Sequence, residues 1–174
     1  MPEPIDPNVC TIRSATADNG AAACLLVWGP TVQALLTPAA TLATARDLVA
    51  AAAHAETDIA VLGWVCEDLR ADEQTAGHIV KDIRARRPLP PTPAALRVHA
   101  VAGYKTRQPY VHISRGSQAG QLSPDEARQM AQHWTEAAVA AQIDVRLRYA
   151  LGEWDRLTPD EIENLFALLR KAQR

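Results

Sequence analysis

Hydrophobic and polar positions change period several times along this chain, and each change marks an element. Val9 to Ala15 and Ala23 to Trp28 are β-prone runs flanking Asp18-Asn19-Gly20, residues that tolerate a positive φ, and together they predict a β-hairpin. Leu96 to Val101 and Tyr110 to Ser114 predict a second one. After Ser123 the period lengthens. Ala127, Met130, Ala131, Trp134, Ala137, Ala138 and Ala141 recur every three or four residues, which is the packing stripe of an α-helix. Ser123 and Glu126 form the S-x-x-E capping box of that helix, with Pro124 at its first position. Thr158-Pro159-Asp160-Glu161 repeats the signal ahead of Ile162, Leu165, Phe166, Leu169 and Ala172, predicting a second capped helix. Between these helices Ile143, Val145, Leu147 and Tyr149 alternate with Asp144, Arg146 and Arg148. That period of two predicts a strand, with a continued helix as the alternative.

Sliding the sequence on itself by 86 positions brings related stretches together without a gap. Leu36-Thr37-Pro38 falls on Leu122-Ser123-Pro124, and Asp58-Ile59 falls on Asp144-Val145. Ile79, Val80, Ile83 and Arg84 fall on Leu165, Phe166, Leu169 and Arg170. Identities are few and close to chance for so alanine-rich a chain; the agreement lies in the order of element types. By this register Asp58 to Trp64 is the counterpart strand. The predicted fold is α+β, a tandem duplication of a ββαβα (or ββαα) unit packed about a pseudo-twofold axis. The halves are residues 1–86 and 95–174, joined by a Pro-rich linker at 87–94, where Pro88, Pro90, Pro91 and Pro93 favour an extended path.

Composition narrows the class. With 48% hydrophobic and 22% charged residues the chain has an ordinary globular balance. No apolar run approaches about 18 residues and the N-terminal residues lack a signal-peptide pattern, so a soluble cytoplasmic protein with no membrane role is expected. Cys10, Cys24 and Cys66 form an odd set without a C-x-x-C pair, which predicts reduced thiols rather than disulfides or a zinc ribbon. Trp28, Trp64, Trp134 and Trp154 are read as core or as the seam between repeats.

Charge changes the picture further. Residues 1–86 hold eleven acids against six bases, whereas residues 87–174 hold nine against twelve, so an acidic half precedes a basic one. From Ile83 to Pro124 there is no acidic residue. Arg97, Tyr104, Lys105, Arg107, Tyr110 and Arg115 stand out there as a candidate surface for nucleic acid or another partner. The competing expectation is that this basic hairpin docks on the acidic first half.

Other chemistry is sparse. Ser114 to Gln121 contains Gly116, Ser117 and Gly120 between a strand and a helix, but lacks the Gly-Lys-Ser/Thr ending of a phosphate loop, and a flexible turn is expected. Ser117 has no G-x-S-x-G frame. His99 and His112 can face one another across the hairpin, yet no third ligand accompanies them, so no metal, cofactor or catalytic residue is assigned. The first-turn acids Asp125, Glu126, Asp160 and Glu161 are explained by the caps and the helix dipole.

The hairpin followed by "LSPDEARQMAQHW" resembles small uncharacterised proteins of GC-rich actinobacteria and their phages, over about thirty residues of the second half. The shared stretch is a helix cap and implies no catalytic residues. Three function classes follow. The first is a non-enzymatic interaction or regulatory protein, an accessory or phage-borne factor with a protein partner, for which a homo-oligomer is also open. The alternative is a nucleic-acid-associated protein using the basic hairpin, and the third is an enzyme with a site between the repeats.

Overall fold

The structure is a computed structural model and describes residues 9–88, 95–152 and 157–172. Strands β1 (Cys10–Thr16), β2 (Ala22–Trp28) and β3 (Val32–Leu36) form one antiparallel sheet in that order, followed by α1 (Pro38–Glu67) and α2 (Glu73–Ala85). Strands β4 (Arg97–Ala102), β5 (Pro109–Arg115) and β6 (Gln118–Leu122) form a second, followed by α3 (Pro124–Gly152) and α4 (Pro159–Ala172). The fold is therefore mixed α+β, with two three-stranded antiparallel sheets and four helices among the described residues. Of the expected linker, residues 89–94 lie outside the described residues.

The turns obey local chemistry. Gly20 takes a φ of 79° and the Asn19 side-chain oxygen accepts from the Ala21 N–H, which closes the first hairpin. Gly29 and Gly116 take positive φ at the turns into β3 and β6. These two strands are a correction: the hydrophobic pattern predicts no strand over residues 29–36, and it predicts a flexible turn at Ser114 to Gln121. Each is only five residues long with alternating partial burial, too short and too poor in β-branched residues for the pattern alone to declare it.

A second correction concerns Asp58 to Trp64 and Ile143 to Tyr149, which are not strands but the later turns of α1 and α3. In α1 the buried residues Leu48, Ala51, Ala52, Ala55, Asp58, Leu62 and Val65 keep helical spacing throughout, so one stripe runs through the supposed break. Each half runs βββαα, where ββαβα (or ββαα) was expected. Thr37 caps α1 by accepting from the Ala40 N–H, and the chain leaves α1 through Arg70 at φ 52°. The predicted caps at Ser123/Glu126 and Thr158/Glu161 both form, the glutamates accepting from the Ser123 N–H at 2.7 Å and the Thr158 N–H at 2.8 Å.

The helices pack reciprocally. α1 lies against β4 and β5 of the second sheet, α3 lies against β1 and β2 of the first, and α1 and α3 run along each other. Arg128 at the start of α3 reaches Glu56 late in α1, so the pair is antiparallel. A shared core results, drawing Leu26, Trp28 and Leu48 from the first half and Leu96, Val111, Ile113 and Trp134 from the second, and a separate cluster of Leu62, Val65, Ala76 and Val80 joins α1 to α2. The buried Ala95 N–H donates to the Thr44 hydroxyl at 2.9 Å, a further tie between halves. Trp28 and Trp134 are core as expected; Trp64 is exposed instead, and Trp154 lies outside the described residues. By length and composition α1 is apolar enough to cross a membrane, but its buried stripe is spent on α3 and the second sheet.

Candidate binding surfaces

The second sheet presents one face to the helices and leaves the other open. Val98, Ala100, Val111 and Ile113 point inward, so by alternation Arg97, His99, Tyr110 and His112 share the outer face. His99 and His112 are direct cross-strand partners, as the sequence suggested. The six predicted partner-binding residues nevertheless do not form one patch. Tyr104, Lys105 and Arg107 sit at the β4–β5 turn, whereas Arg97 and Arg115 sit at the opposite end of the strands, roughly 20 Å away at 3.3 Å per residue. Several are already engaged. The Tyr104 hydroxyl donates to the Gly77 carbonyl at 3.3 Å, Arg107 stands 3.6 Å from Glu73, and Arg115 donates to the Ala95 carbonyl. The hairpin tip thus docks on α2 of the acidic half, with Tyr104 packed so closely that a Cβ at Gly77 would lie 2.8 Å from its hydroxyl.

A cleft of about 450 Å³ lies between the halves, lined by Asp47, His54, Arg84, Arg87, Val98 and His99 among others. Behind it Asp58 is buried and accepts from Arg84 Nε at 2.6 Å and from both terminal nitrogens of Arg87. Burial pushes the Asp47 carboxyl up, with Arg46 opposing. Burial and the Arg87 charge push the His54 imidazole down, with Asp58 opposing. Perturbed groups in a cleft are what an active site would show. Here, however, both arginines are committed to Asp58, and Arg84 Nη2 is shielded from solvent, so a ligand in the cleft does not reach it. No cluster of three metal-ligating side chains occurs among the described residues. Cys10, Cys24 and Cys66 are free thiols, and burial pushes Cys10 up to about 12, far from a reactive thiolate.

Two apolar surfaces escaped the sequence reading. On α3 Val139, Ile143 and Leu147 are spaced i, i+4 and i+8 and are all exposed, Ile143 at 55%, with Tyr149 beyond them at 71%. The same residues that alternate as a strand, wound into a helix, fall on two opposite sides of it, Ile143 and Leu147 on one and Val145 and Tyr149 on the other. α4 covers one side only, where Phe166 lies under Arg148, whose guanidinium carbon is 4.1 Å from the ring centre. α4 itself buries Ile162 and Phe166 but exposes Leu165, Leu168 and Leu169. The second surface is a groove of about 640 Å³ along the α1–α3 seam, walled by Leu42, Ala45, Val49 and Ala53 on one side and Ala131 and Thr135 on the other. Its signal was present in the sequence as small and apolar residues adjoining the buried stripe, but nothing there said the seam would stay uncovered.

No family model, curated protein or solved structure matches the chain.

Proposed function

We propose that this chain is a tandem duplication of a βββαα unit about a pseudo-twofold axis, and that it acts as a non-enzymatic protein-binding factor through the second half of α3. An offset of 86 residues carries β3 onto β6 and the starts of α1 and α2 onto those of α3 and α4. β5 falls one residue late because the turn before it is one residue longer and the turn after it one shorter. The same offset relates Leu42, Ala45, Arg46 and Val49 to Arg128, Ala131, Gln132 and Thr135, which line one groove between antiparallel helices. An axis through that groove accounts for the reciprocal packing of each long helix on the other half's sheet.

The observation that carries the function is the exposed stripe of Val139, Ile143 and Leu147. At the equivalent offset the first half has Ala53, Thr57 and Val61, so Val139 and Ile143 stand where the first half has a small and a polar group, while Leu147 stands where it has another apolar one. Contiguous exposed apolar surface marks an interaction site. The opposed charge of the halves fits a molecule that meets its partner with one half only. The test is affinity purification from the native host with Ile143→Glu and Leu147→Glu. A binding factor loses a stoichiometric partner while its melting temperature is unchanged, and a variant that keeps the partner contradicts the proposal.

A second reading is single-stranded nucleic acid on the open face of the second sheet, favoured by Arg97, His99, Tyr110 and His112 standing there together. It requires salt-dependent retention on single-stranded DNA or RNA that Arg97→Ala and Tyr110→Ala weaken; no retention at low salt rejects it.

A further inference from the structure

Beside the outer edge of β1 a cleft of about 650 Å³ opens between the first sheet and α4, large enough for a small organic molecule. Arg13 on β1 and Lys171 on α4 line it, and neither has an ion-pair partner among the described residues. Arg148 and Glu163 also line it but hold each other. Their charges cancel, so the cleft keeps the two positive charges of Arg13 and Lys171.

In the first half the corresponding seam between hairpin tip and helix is shut. At the 86-residue offset, in a comparison that rests on the duplication proposed above, Arg148 falls on Leu62, Glu163 on Gly77 and Lys171 on Ala85. Leu62 is buried in the apolar cluster between α1 and α2, and Tyr104 covers Gly77. Asp18 stands in the place of Tyr104 and does not line the cleft. Charged side chains have replaced an apolar seal, and the tyrosine that would cover them is missing.

Hydrogen-bond donors complete the cleft. β1 has no strand on its outer side among the described residues. The Ala17 N–H donates across the hairpin to the Ala21 carbonyl, so by alternation Ser14 and Thr16, which line the cleft, turn their backbone N–H groups outward. A guanidinium, an ammonium, two hydroxyls and two N–H groups therefore border one space. Donors from several directions suit the three oxygens of a phosphate monoester better than a flat carboxylate, and its nearly two negative charges match Arg13 and Lys171. Leu25 and Ala167 add apolar lining for a carbon body.

We infer that this cleft binds a small organic phosphate monoester, its phosphate held by Arg13 and Lys171 and its carbon body against Leu25 and Ala167. Neither Ile143 nor Leu147 lines the cleft, so the site is separate from the partner face on α3.

The test is titration of the full chain with phenyl phosphate at low salt and slightly alkaline pH, followed by amide NMR. Saturable shifts are expected at Ser14, Thr16 and Ala167. Phenyl sulfate, of the same shape but singly charged, and inorganic phosphate, which lacks the carbon body, are each expected to bind about tenfold more weakly. Arg13→Ala and Lys171→Ala, both at exposed positions, should each weaken phenyl phosphate binding about tenfold with an unchanged melting temperature. Ile143→Glu leaves this binding intact while removing the partner of the function proposed above, so the two ideas fail separately. Absence of saturable shifts at those residues overturns the inference, as does binding that is indifferent to Arg13→Ala and Lys171→Ala.

Discussion

Asp58 in α1 and Arg87 just beyond α2 meet in a forked ion pair, both terminal nitrogens of the guanidinium donating to a carboxylate that is 1% exposed. With Arg84 joining from α2, this pair ties the two helices of the first half beside the apolar cluster of Leu62, Val65, Ala76 and Val80 that also joins them. A buried charge that loses its partners costs more than the pair contributes. The Arg84→Ala, Arg87→Ala double variant is therefore expected to lose about 3–5 kcal/mol in urea denaturation. Asp58→Ala should lose distinctly less, because both arginines are partly exposed and turn to water when freed. Equal losses would place the energy elsewhere.

His54 sets a pH dependence. Burial and then the Arg87 charge lower its pKa from the usual 6.5. On acidification the unfolded chain binds this proton first. The contribution of His54 is thus complete above the unfolded pKa and is lost as pH falls toward the lowered folded value. Urea midpoints should fall between pH 7 and pH 5, and His54→Gln should flatten that slope. An unchanged slope would show that the imidazole titrates alike in both states.

Gly77 and Tyr104 test the docking of the basic hairpin. An alanine in place of a helical glycine ordinarily gains about 1 kcal/mol. At Gly77 the new methyl group would press on the Tyr104 ring, so Gly77→Ala alone should gain little or lose stability. In a Tyr104→Ala background the ordinary gain should return. A double-mutant cycle in chemical denaturation reads the difference directly.

The capping box at Ser123 makes an acid-side prediction. The Ser123 backbone N–H, then its hydroxyl, hold the Glu126 carboxyl below its usual 4.5. That stabilisation is present above the unfolded pKa and disappears as pH falls through the lowered folded one. Ser123→Ala should cost about 1 kcal/mol at pH 7. Thermal melts of Glu126→Ala and wild type should converge near pH 3, whereas the loss in Ser123→Ala persists, since that hydroxyl accepts from the Glu126 N–H at any pH.

Much of the architecture was legible wherever local chemistry decides it. The caps at Ser123 and Thr158, the Asn19-Gly20 turn and the stripe ending at Ala141 are short-range signals, and each appears where its residues placed it. The strand readings at Asp58 to Trp64 and Ile143 to Tyr149 failed for one reason. A run that is apolar at alternate positions suits a strand with one face buried, but also a helix with apolar groups on two opposite sides. Only tertiary packing chooses between them. That ambiguity also concealed Val139, Ile143 and Leu147, because a stripe is visible only once the period is known. The basic hairpin was read correctly as charge but not as geometry, since strand length separates Arg97 and Arg115 from Lys105 and Arg107.

The central claim is that the second half of α3 holds a partner face which its counterpart in α1 lacks. It is tested most directly by placing a photo-crosslinking amino acid in place of Ile143 and, separately, in place of Thr57, then irradiating living cells of the native host. A discrete adduct with a different protein from position 143, and none from position 57, is the predicted result. Equal labelling at both positions, or no heterologous adduct at 143, contradicts it.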